Sequence, residues 1–196
     1  MGSRSVTAAR SSERLGRAFF DRPTVVVARA LLGAELEVRG RGGPARRARI
    51  VETEAYVRND AASHAARGPT HRNRSMFGPA GTLYVYRIHQ VVCANLVTRP
   101  GEAALLRAAE PLVPGLASTT GPGRLCAALG LTLADDGTDT TRSPRVRVYP
   151  RVGGIGPIGV GVRVGLRKAA ERPLRFGLLR SRWVSRPRGL APRPSV

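Results

Sequence analysis

The sequence predicts a single α+β domain, with a mostly antiparallel sheet and helices at its periphery, from three observations. The chain has 196 residues, a length that suits one domain, and 42% of them are hydrophobic, which is enough for a core. Runs typical of β-strands follow one another across short turns, as they do in antiparallel hairpins. The segments that read as helices are few and short. A disordered basic tail is therefore excluded as a description of the whole chain.

Two helices are predicted before the first strand. The first covers residues 13–20. The second covers residues 23–32, with Asp21 as its N-cap, Pro23 near the first turn and Gly33 at its end. Residues 1–12 are rich in Ser, Ala and Arg and have no apolar period, so we expect a mobile basic arm there.

Six strands and a third helix complete the predicted domain, which covers residues 13–184. The helix covers residues 121–129, between Thr120 and Gly130. Segments 39–44, 135–144 and 153–165 read as turns and loops, the last of them mixed with short strands. Residues 185–196 are rich in Pro and Arg and are expected to form a mobile tail. The predicted strands cover residues 34–38, 45–56, 82–87, 91–97, 103–109 and 174–179.

The charged residues are strongly unbalanced. The chain has 33 Lys and Arg against 13 Asp and Glu, a formal net charge of +20, and Lys168 is its only lysine. Such an excess favours a polyanionic partner, nucleic acid first, and arginine suits bidentate contacts with phosphate. Codon bias in a GC-rich genome is an alternative explanation for arginine in place of lysine. It explains the shortage of acidic residues less well.

Several other classes of protein are excluded by the sequence. No run of about 18 apolar residues could span a membrane, and no secretory signal is visible. We expect a cytoplasmic, nucleoid-associated protein of bacterial origin. Cys93 and Cys126 lack the spacing of a metal finger or a disulfide framework, and the histidines at 64, 71 and 89 lack metal-ligand spacing. We predict no metal and no cofactor.

The strand at 45–56 carries two carboxylates beside a tyrosine. Side chains alternate faces along a strand, so one face is expected to differ in chemistry from the other. A solvated strand face is the ordinary explanation for such acidic residues, and a catalytic carboxylate pair is the alternative. The predicted polar face carries Ile50, Glu52, Glu54 and Tyr56, and the predicted apolar face carries Val51, Thr53 and Ala55.

A long polar loop follows this strand and favours the catalytic alternative. It contains His64 and the cations Arg72 and Arg74, and long polar loops in compact domains are often functional. Tyr84 and Tyr86 then share one face of the next strand. Three of the four tyrosines thus flank a basic loop, an arrangement that suits stacking on nucleobases.

These residues form motifs that resemble those of the 3-methyladenine (alkyladenine) DNA glycosylases. The resemblance extends in order over about residues 15–185. The matching motifs are ETEAY at 52–56, ASH at 62–64, RN at 72–73, MFG at 76–78, GTLYVY at 81–86, CAN at 93–95, LRAAEP at 106–111, GPGRL at 121–125, RVG at 163–165 and PLRF at 173–176.

The resemblance implies a monofunctional DNA repair enzyme that flips a damaged purine out of the duplex and hydrolyses its N-glycosidic bond. It also implies a curved sheet with a hairpin that enters the DNA minor groove. The second Glu of the ETEAY motif maps to Glu54 as the general base, and Arg107 helps to hold the water and the sugar or phosphate. Glu52 is expected to be a supporting residue.

The resemblance assigns further residues to the base and to the DNA. The base-binding pocket maps to Tyr56, His64, Tyr86, Asn95 and Val164. Asn95 is the residue that would collide with the amino group of normal guanine. The DNA backbone contacts are expected from Arg72, Arg74 and Arg163.

The hairpin that enters DNA departs from the family pattern. The family usually inserts an aromatic residue at the position that His89 occupies here, and this hairpin is one residue shorter. We expect His89, or a displaced Ile88, to act as the wedge. The partner is therefore expected to be double-stranded DNA with damaged purines, bound by a monomer. A non-catalytic basic nucleic-acid-binding protein with a degraded hairpin is the alternative, and a metal- or nucleotide-dependent hydrolase is disfavoured because no phosphate loop is present.

Overall fold

A large antiparallel sheet dominates the structure, a computed structural model that describes residues 13–40, 43–187 and 189–192. Its path runs β3-β4-β5-β2-β8-β7-β9, while β1 pairs with β2 and with β6. The α+β class with a mostly antiparallel sheet is confirmed. The strands are β1 (Glu35–Val38), β2 (Arg46–Tyr56), β3 (Leu83–Ile88), β4 (Val91–Arg99), β5 (Glu102–Pro111), β6 (Val146–Tyr149), β7 (Ile158–Gly161), β8 (Arg175–Leu178) and β9 (Ala191–Pro192).

Three short helices lie at the periphery of the part of the chain that the structure describes, as predicted. They are α1 (Arg17–Phe20), α2 (Thr24–Ala30) and α3 (Pro122–Leu129). The predicted cap of α2 is wrong, since its N-cap is Pro23 and no side chain caps it. Gly130 follows the last residue of α3 and terminates the helix, as predicted. Its φ of +71° is the left-handed conformation that glycine adopts without strain.

Four elements were not predicted. Two are strands, β6 and β9, and two are single 3₁₀ turns, Arg74–Phe77 and Leu133–Asp135. Short edge strands and 3₁₀ turns depend on tertiary contacts more than on periodicity, so the sequence gives little signal for them.

The main core lies between one face of the sheet and the helices. Helix α3 packs on β4 and β5, and α2 packs on β2 and β5. The opposite face carries two smaller apolar clusters, one around Met76 and Tyr84 and one around Val51 and Val184. The main core includes the fully buried side chains of Phe20, Leu31, Leu32, Leu36, Ile50, Leu83, Leu96, Leu106, Leu125 and Leu129.

The alternation predicted for β2 is wrong at its centre. The register with β5 shifts on both sides of Glu52, leaving Val51 as the extra residue on β2 and Arg107 as the extra residue on β5. Ile50 therefore joins Ala55 in the main core, while Val51 lies in the cluster on the opposite face. The paired bulges bring Arg107 beside the two glutamates.

The segment after β8 stays in contact with the sheet. Val184 and Ser185 are buried, and β9 pairs with β7 through Gly159 and Val160. The predicted tail thus contacts the domain, and the boundary at residue 184 stays a prediction. The predicted arm at residues 1–12 lies outside the described residues. Within residues 13–40, 43–187 and 189–192, no helix is long and apolar enough to cross a membrane.

Candidate active site

Glu54 lies at the centre of the site, on the second half of β2. Its side chain is fully buried. The Val164 backbone amide donates a hydrogen bond to its Oε1 (2.9 Å), and Arg107 Nη1 lies 3.3 Å from the same oxygen. The Tyr56 hydroxyl donates to Oε2 (3.0 Å). A carboxylate oxygen can accept more than one hydrogen bond, so Oε2 has capacity for a further donor such as water.

The environment of Glu54 adjusts its basicity. Burial raises the pKa of Glu54 above its ordinary value, because the charged form loses its hydration. Arg107, the Val164 amide and the Tyr56 hydroxyl oppose that rise. A carboxylate with a raised pKa that remains ionised can accept a proton from water, which is what a general base must do.

Glu52 holds two arginines behind Glu54. Its fully buried carboxylate accepts hydrogen bonds through Oε1 from Arg107 Nε (3.0 Å) and Arg175 Nε (2.6 Å). Both arginines are buried, so their charges are balanced by carboxylates rather than by water. The expectation that Glu52 is a supporting residue agrees with this geometry.

An aromatic cavity of about 150 Å³ is bordered by Tyr56, whose hydroxyl bonds to Glu54. Tyr84 and Tyr86 come from β3 and stack on each other, with ring centroids 5.3 Å apart. The His64 ring meets Tyr86 at 4.2 Å with an interplanar angle of 67°. Tyr56 completes the aromatic part of the wall, and the other lining residues are Ala62, Met76, Ile88, Asn95 and Leu166.

His64 is held in place at the cavity by Tyr84. Its Nδ1 lies 2.9 Å from the Tyr84 hydroxyl. Partial burial lowers the pKa of His64, which favours the neutral imidazole. Burial and the neighbouring Glu54 raise the pKa of Tyr56, so its hydroxyl keeps the proton that it donates to Glu54. The wall of the cavity is therefore uncharged at neutral pH.

The loop that carries His64 is organised by Asn73. The Asn73 side chain donates to the carbonyls of His64 (2.9 Å) and Gly68 (3.1 Å) and accepts from the Thr70 amide (2.6 Å). One buried amide group thus closes the loop on itself. Met76 anchors the following 3₁₀ turn in the apolar cluster below the cavity.

Arg163 lies inside the protein rather than on a DNA-facing surface. Its guanidinium pairs with Asp60 in a bidentate arrangement, its Nη1 donates to the Ala55 carbonyl (3.1 Å), and its side chain is 0% exposed. It also lies over the Tyr56 ring, 4.6 Å from the centroid. The predicted contact with the DNA backbone is not compatible with this placement, because the charge is already matched by Asp60.

Arg72 and Arg74, in contrast, are exposed. Arg72 borders a second cavity of about 400 Å³ together with Arg67 and Arg87. This cavity shares His64, Tyr84 and Tyr86 with the aromatic one. The aromatic cavity therefore adjoins a second cavity that is bordered by three arginines.

Asn95 and Val164 lie near the site in different ways. Asn95 lines the aromatic cavity, and its Nδ2 donates to the Tyr84 carbonyl across the β3–β4 pair (3.1 Å). Val164 contributes its backbone amide to Glu54, and Leu166 contributes the side chain of that loop that lines the cavity. Leu166 was not predicted.

The β3–β4 hairpin ends in a two-residue turn next to the cavity. Ile88 pairs with Val91, which leaves His89 and Gln90 as the turn. His89 has a φ of +50°, a conformation in which His is found more often than most residues. Ile88 and Val91 are 47% and 40% exposed, so the tip presents an apolar pair to solvent.

Comparison with known proteins identifies the family. The family model described as methylpurine-DNA glycosylase matches residues 18–182. The chain belongs to this glycosylase family. It is therefore a hydrolase of N-glycosyl bonds that acts on DNA in repair.

Similar proteins occur in diverse organisms. A relative from Rhizobium johnstonii is 44% identical over 186 residues, covering 87% of this chain and 89% of the relative. One from Methanoculleus marisnigri is 45% identical, and the match covers 88% of this chain and 98% of the relative. One from Anaeromyxobacter dehalogenans is 49% identical, and the match covers 89% of this chain and 86% of the relative. All three carry the assignment 3-methyladenine DNA glycosylase.

Besides Leu166, three further contributors to the glycosylase site were missed by sequence reasoning. Arg175 lies on a predicted strand, but the alternation of residues along that strand did not indicate that it would pair with Glu52. Asp60 lies in the polar loop, where acidic residues are ordinary. Ser185 was placed in the tail, and no local signal could have connected it with Glu52. Among the described residues, no group of three or more His, Cys, Asp or Glu could hold a metal ion.

Proposed function

We propose that this glycosylase excises alkylated purines from double-stranded DNA as a monomer, leaving an abasic site. The substrates are 3-methyladenine and 7-methylguanine, and hypoxanthine more slowly. The observation that carries the proposal is the position of Glu54, a fully buried carboxylate between Arg107 and Tyr56, beside a cavity walled by aromatic rings.

The cavity suits a flipped base. The reacting atoms of a purine lie inside the duplex stack, so the enzyme must bring the nucleotide out before it can react. The rings of Tyr56, His64 and Tyr86 supply flat surfaces for the base, and stacking on aromatic side chains is worth about 1–3 kcal/mol per base. Asn95 at the cavity wall would collide with the amino group of normal guanine, and Val164 would approach the base edge.

Glu54 is the general base in this proposal. It accepts a proton at Oε2 from a water molecule that attacks the sugar C1′, and the bond to the base breaks. Arg107 stabilises the ionised carboxylate before the proton transfer and helps to position the water. General-base assistance contributes about 10²- to 10⁴-fold, so the leaving group must also be good.

An alkylated purine is such a leaving group, because it is cationic and departs as a neutral base. The Tyr56 and Tyr86 rings attract the cation through their faces, by about 0.5–2 kcal/mol each. Arg163 already covers one face of Tyr56, and Asp60 neutralises the charge of that arginine. The pair thus orients the ring without repelling a cationic base.

The β3–β4 hairpin enters the minor groove and fills the space that the base leaves. His89 is at the tip, and Ile88 presents an apolar side chain beside the cavity. Apolar wedges that separate base steps are a common device of proteins that kink DNA. Arg72 and Arg74 contact the phosphates on either side.

The test is base release from duplex DNA that contains 7-methylguanine or 3-methyladenine, in the presence of EDTA. We expect the wild type to release the base and leave abasic sites, and Glu54→Gln to lose at least about 10²-fold of the single-turnover rate. Glu171→Gln removes an exposed carboxylate and is the matched control. Full excision by Glu54→Gln would overturn the role of Glu54. Binding without any release by the wild type would favour the non-catalytic alternative.

A further inference from the structure

The C-terminal segment reaches the catalytic centre through one residue, Ser185. The Ser185 backbone amide donates to Glu52 Oε2 (2.6 Å), and its hydroxyl lies 3.0 Å from Glu52 Oε1. Arg107 Nε lies 3.1 Å from the same hydroxyl, and Arg175 Nη2 donates to the Ser185 carbonyl (3.2 Å). Ser185 therefore contacts both arginines and the carboxylate that holds them.

The hydroxyl of Ser185 has a donor and acceptor inventory that fits this position. It donates its one proton to Glu52 and accepts from Arg107, as a hydroxyl can do simultaneously. Arg107 Nε is thus shared between Glu52 and Ser185, while its Nη1 approaches Glu54. Fixing Nε fixes the plane of the guanidinium, and with it the direction of Nη1.

The surrounding segment holds Ser185 firmly. Val184 is buried with Val51 and Ala108, and Trp183 and Leu190 pack against them. Farther along, β9 pairs with β7. These contacts place Ser185 by packing on both sides of it, so the hydrogen bonds do not have to order a free chain end.

We propose that Ser185 is a positioning residue, whose hydroxyl orients Arg107 toward Glu54. The proposal rests on the proposed function, in which Glu54 is the general base. It assigns a role in the reaction to a segment that the sequence places in a mobile tail. Ser185 does not contact the base in this proposal and acts only through Arg107.

Loss of this orientation changes the charge that Glu54 experiences. The groups that face Glu54 are Arg107 from β5, Glu52 and Tyr56 from β2, and the Val164 amide from the loop after β7, with Cys93 of β4 in the same electrostatic environment. Arg107 is the cation among them. When it turns away, burial and Glu52 act on Glu54 with less opposition, and Glu54 holds its proton to higher pH.

The experiment compares Ser185→Ala with wild type on 7-methylguanine duplex DNA, under single-turnover conditions with saturating enzyme over a range of pH. Ser185→Ala keeps the backbone contacts to Glu52 and Arg175 and removes only those of the hydroxyl. We expect the rate at neutral pH to fall by about tenfold to a hundredfold, since hydrogen bonds to charged groups are the stronger ones. We also expect the acid limb of the profile to move to higher pH.

Two further variants separate positioning from mere stability. Ser181→Ala removes a hydroxyl from the same segment, one that accepts a hydrogen bond from the Trp183 amide, and should keep the wild-type rate and profile. Ser185→Thr restores a hydroxyl and should recover most of the rate. A lower rate with an unmoved acid limb would overturn the positioning role, and so would a wild-type rate for Ser185→Ala. If the wild type itself releases no base, the proposed function fails instead.

Discussion

Two glutamates that stand two residues apart on one strand have different environments. Glu52 is met by two arginines and by the amide and hydroxyl of Ser185. Glu54 is met by one arginine, one amide and one phenol, and burial raises its pKa. The residue with the less complete set of partners, Glu54, has room at Oε2 for a hydrogen bond from water, as the proposed general base requires.

The structural role of Glu52 should be visible in measurements of stability. Glu52→Gln leaves Arg107 and Arg175 buried with one carboxylate fewer, and removing one partner of a buried ion pair typically costs about 3–5 kcal/mol. We expect its free energy of unfolding in urea to fall by that order. Glu110→Gln removes the partner of Arg49 in a pair that is 37% and 40% exposed, and is the control. The free energy of unfolding of Glu110→Gln should fall by less than about 1 kcal/mol. Equal losses in the two variants would contradict the structural role of Glu52.

Sequence reasoning identified some of these residues and missed others. The ETEAY motif singled out Glu54 and Tyr56 because their types and spacing are local properties. The partners of Glu52 come from positions 107, 175 and 185, which local periodicity cannot connect. Arg163 shows the reverse error: an arginine in a basic region was expected to contact phosphate, but Asp60 neutralises it in the interior.

At the scale of the elements, the β3–β4 hairpin borders the cavity and is the proposed contact with the duplex. Tyr84, Tyr86 and Ile88 share one strand face, which places the rings in the cavity and Ile88 at its edge. Helix α3 supports the tip, since a Cβ on Gly123 would lie 2.5 Å from Val91. Only glycine at this position allows the helix and the hairpin to approach so closely.

The hairpin should matter for duplex DNA more than for single strands. In the proposed complex the duplex buries the side chain of Ile88. We expect Ile88→Ala to slow excision from duplex DNA by about tenfold, because the smaller side chain loses apolar contact with the bases worth about 1–2 kcal/mol. His89→Ala should cause a smaller loss, since Ile88 lines the aromatic cavity and His89 is not among the lining residues. The check is the ratio of single-turnover rates on duplex and single-stranded 7-methylguanine DNA. If neither variant changes that ratio, the hairpin is not a wedge.

The strands were predicted better than the connections between them. β2 to β5 were found to within about two residues because their apolar runs are long. β6 and β9 were missed because four-residue and two-residue strands carry too little pattern, and their pairing with β1 and β7 depends on residues far away in the chain.

At the scale of the whole molecule, a small part of the positive charge is internal. Arg107, Arg163 and Arg175 are buried against carboxylates, and other arginines form surface ion pairs. These buried arginines are matched by Glu52, Glu54 and Asp60, so the net charge of +20 is carried by the rest of the chain. Near the cavity it comes from exposed arginines such as Arg67, Arg72 and Arg87.

Binding to DNA should depend steeply on salt. Each phosphate that the protein neutralises contributes a slope of about −0.9 to log K against log[salt]. We expect Arg72→Gln to weaken binding to duplex DNA and to reduce the magnitude of the slope by about one. Arg151→Gln, at an exposed arginine beside Gly33, is the matched control and should leave the slope unchanged. Fluorescence anisotropy at several NaCl concentrations measures both, and a flat response in the wild type would exclude phosphate contacts as the source of affinity.

The sequence by itself determined the fold class, the strands around the site and the family, because these depend on local periodicity and on motifs of adjacent residues. It also determined which residue types are present for the reaction. The tertiary structure decided which carboxylate is compensated, which arginine is buried and which segment completes the site. The physical reason is that burial and pairing depend on contacts between distant positions. The hydrogen bond from Ser185 to Glu52 joins residues 133 positions apart.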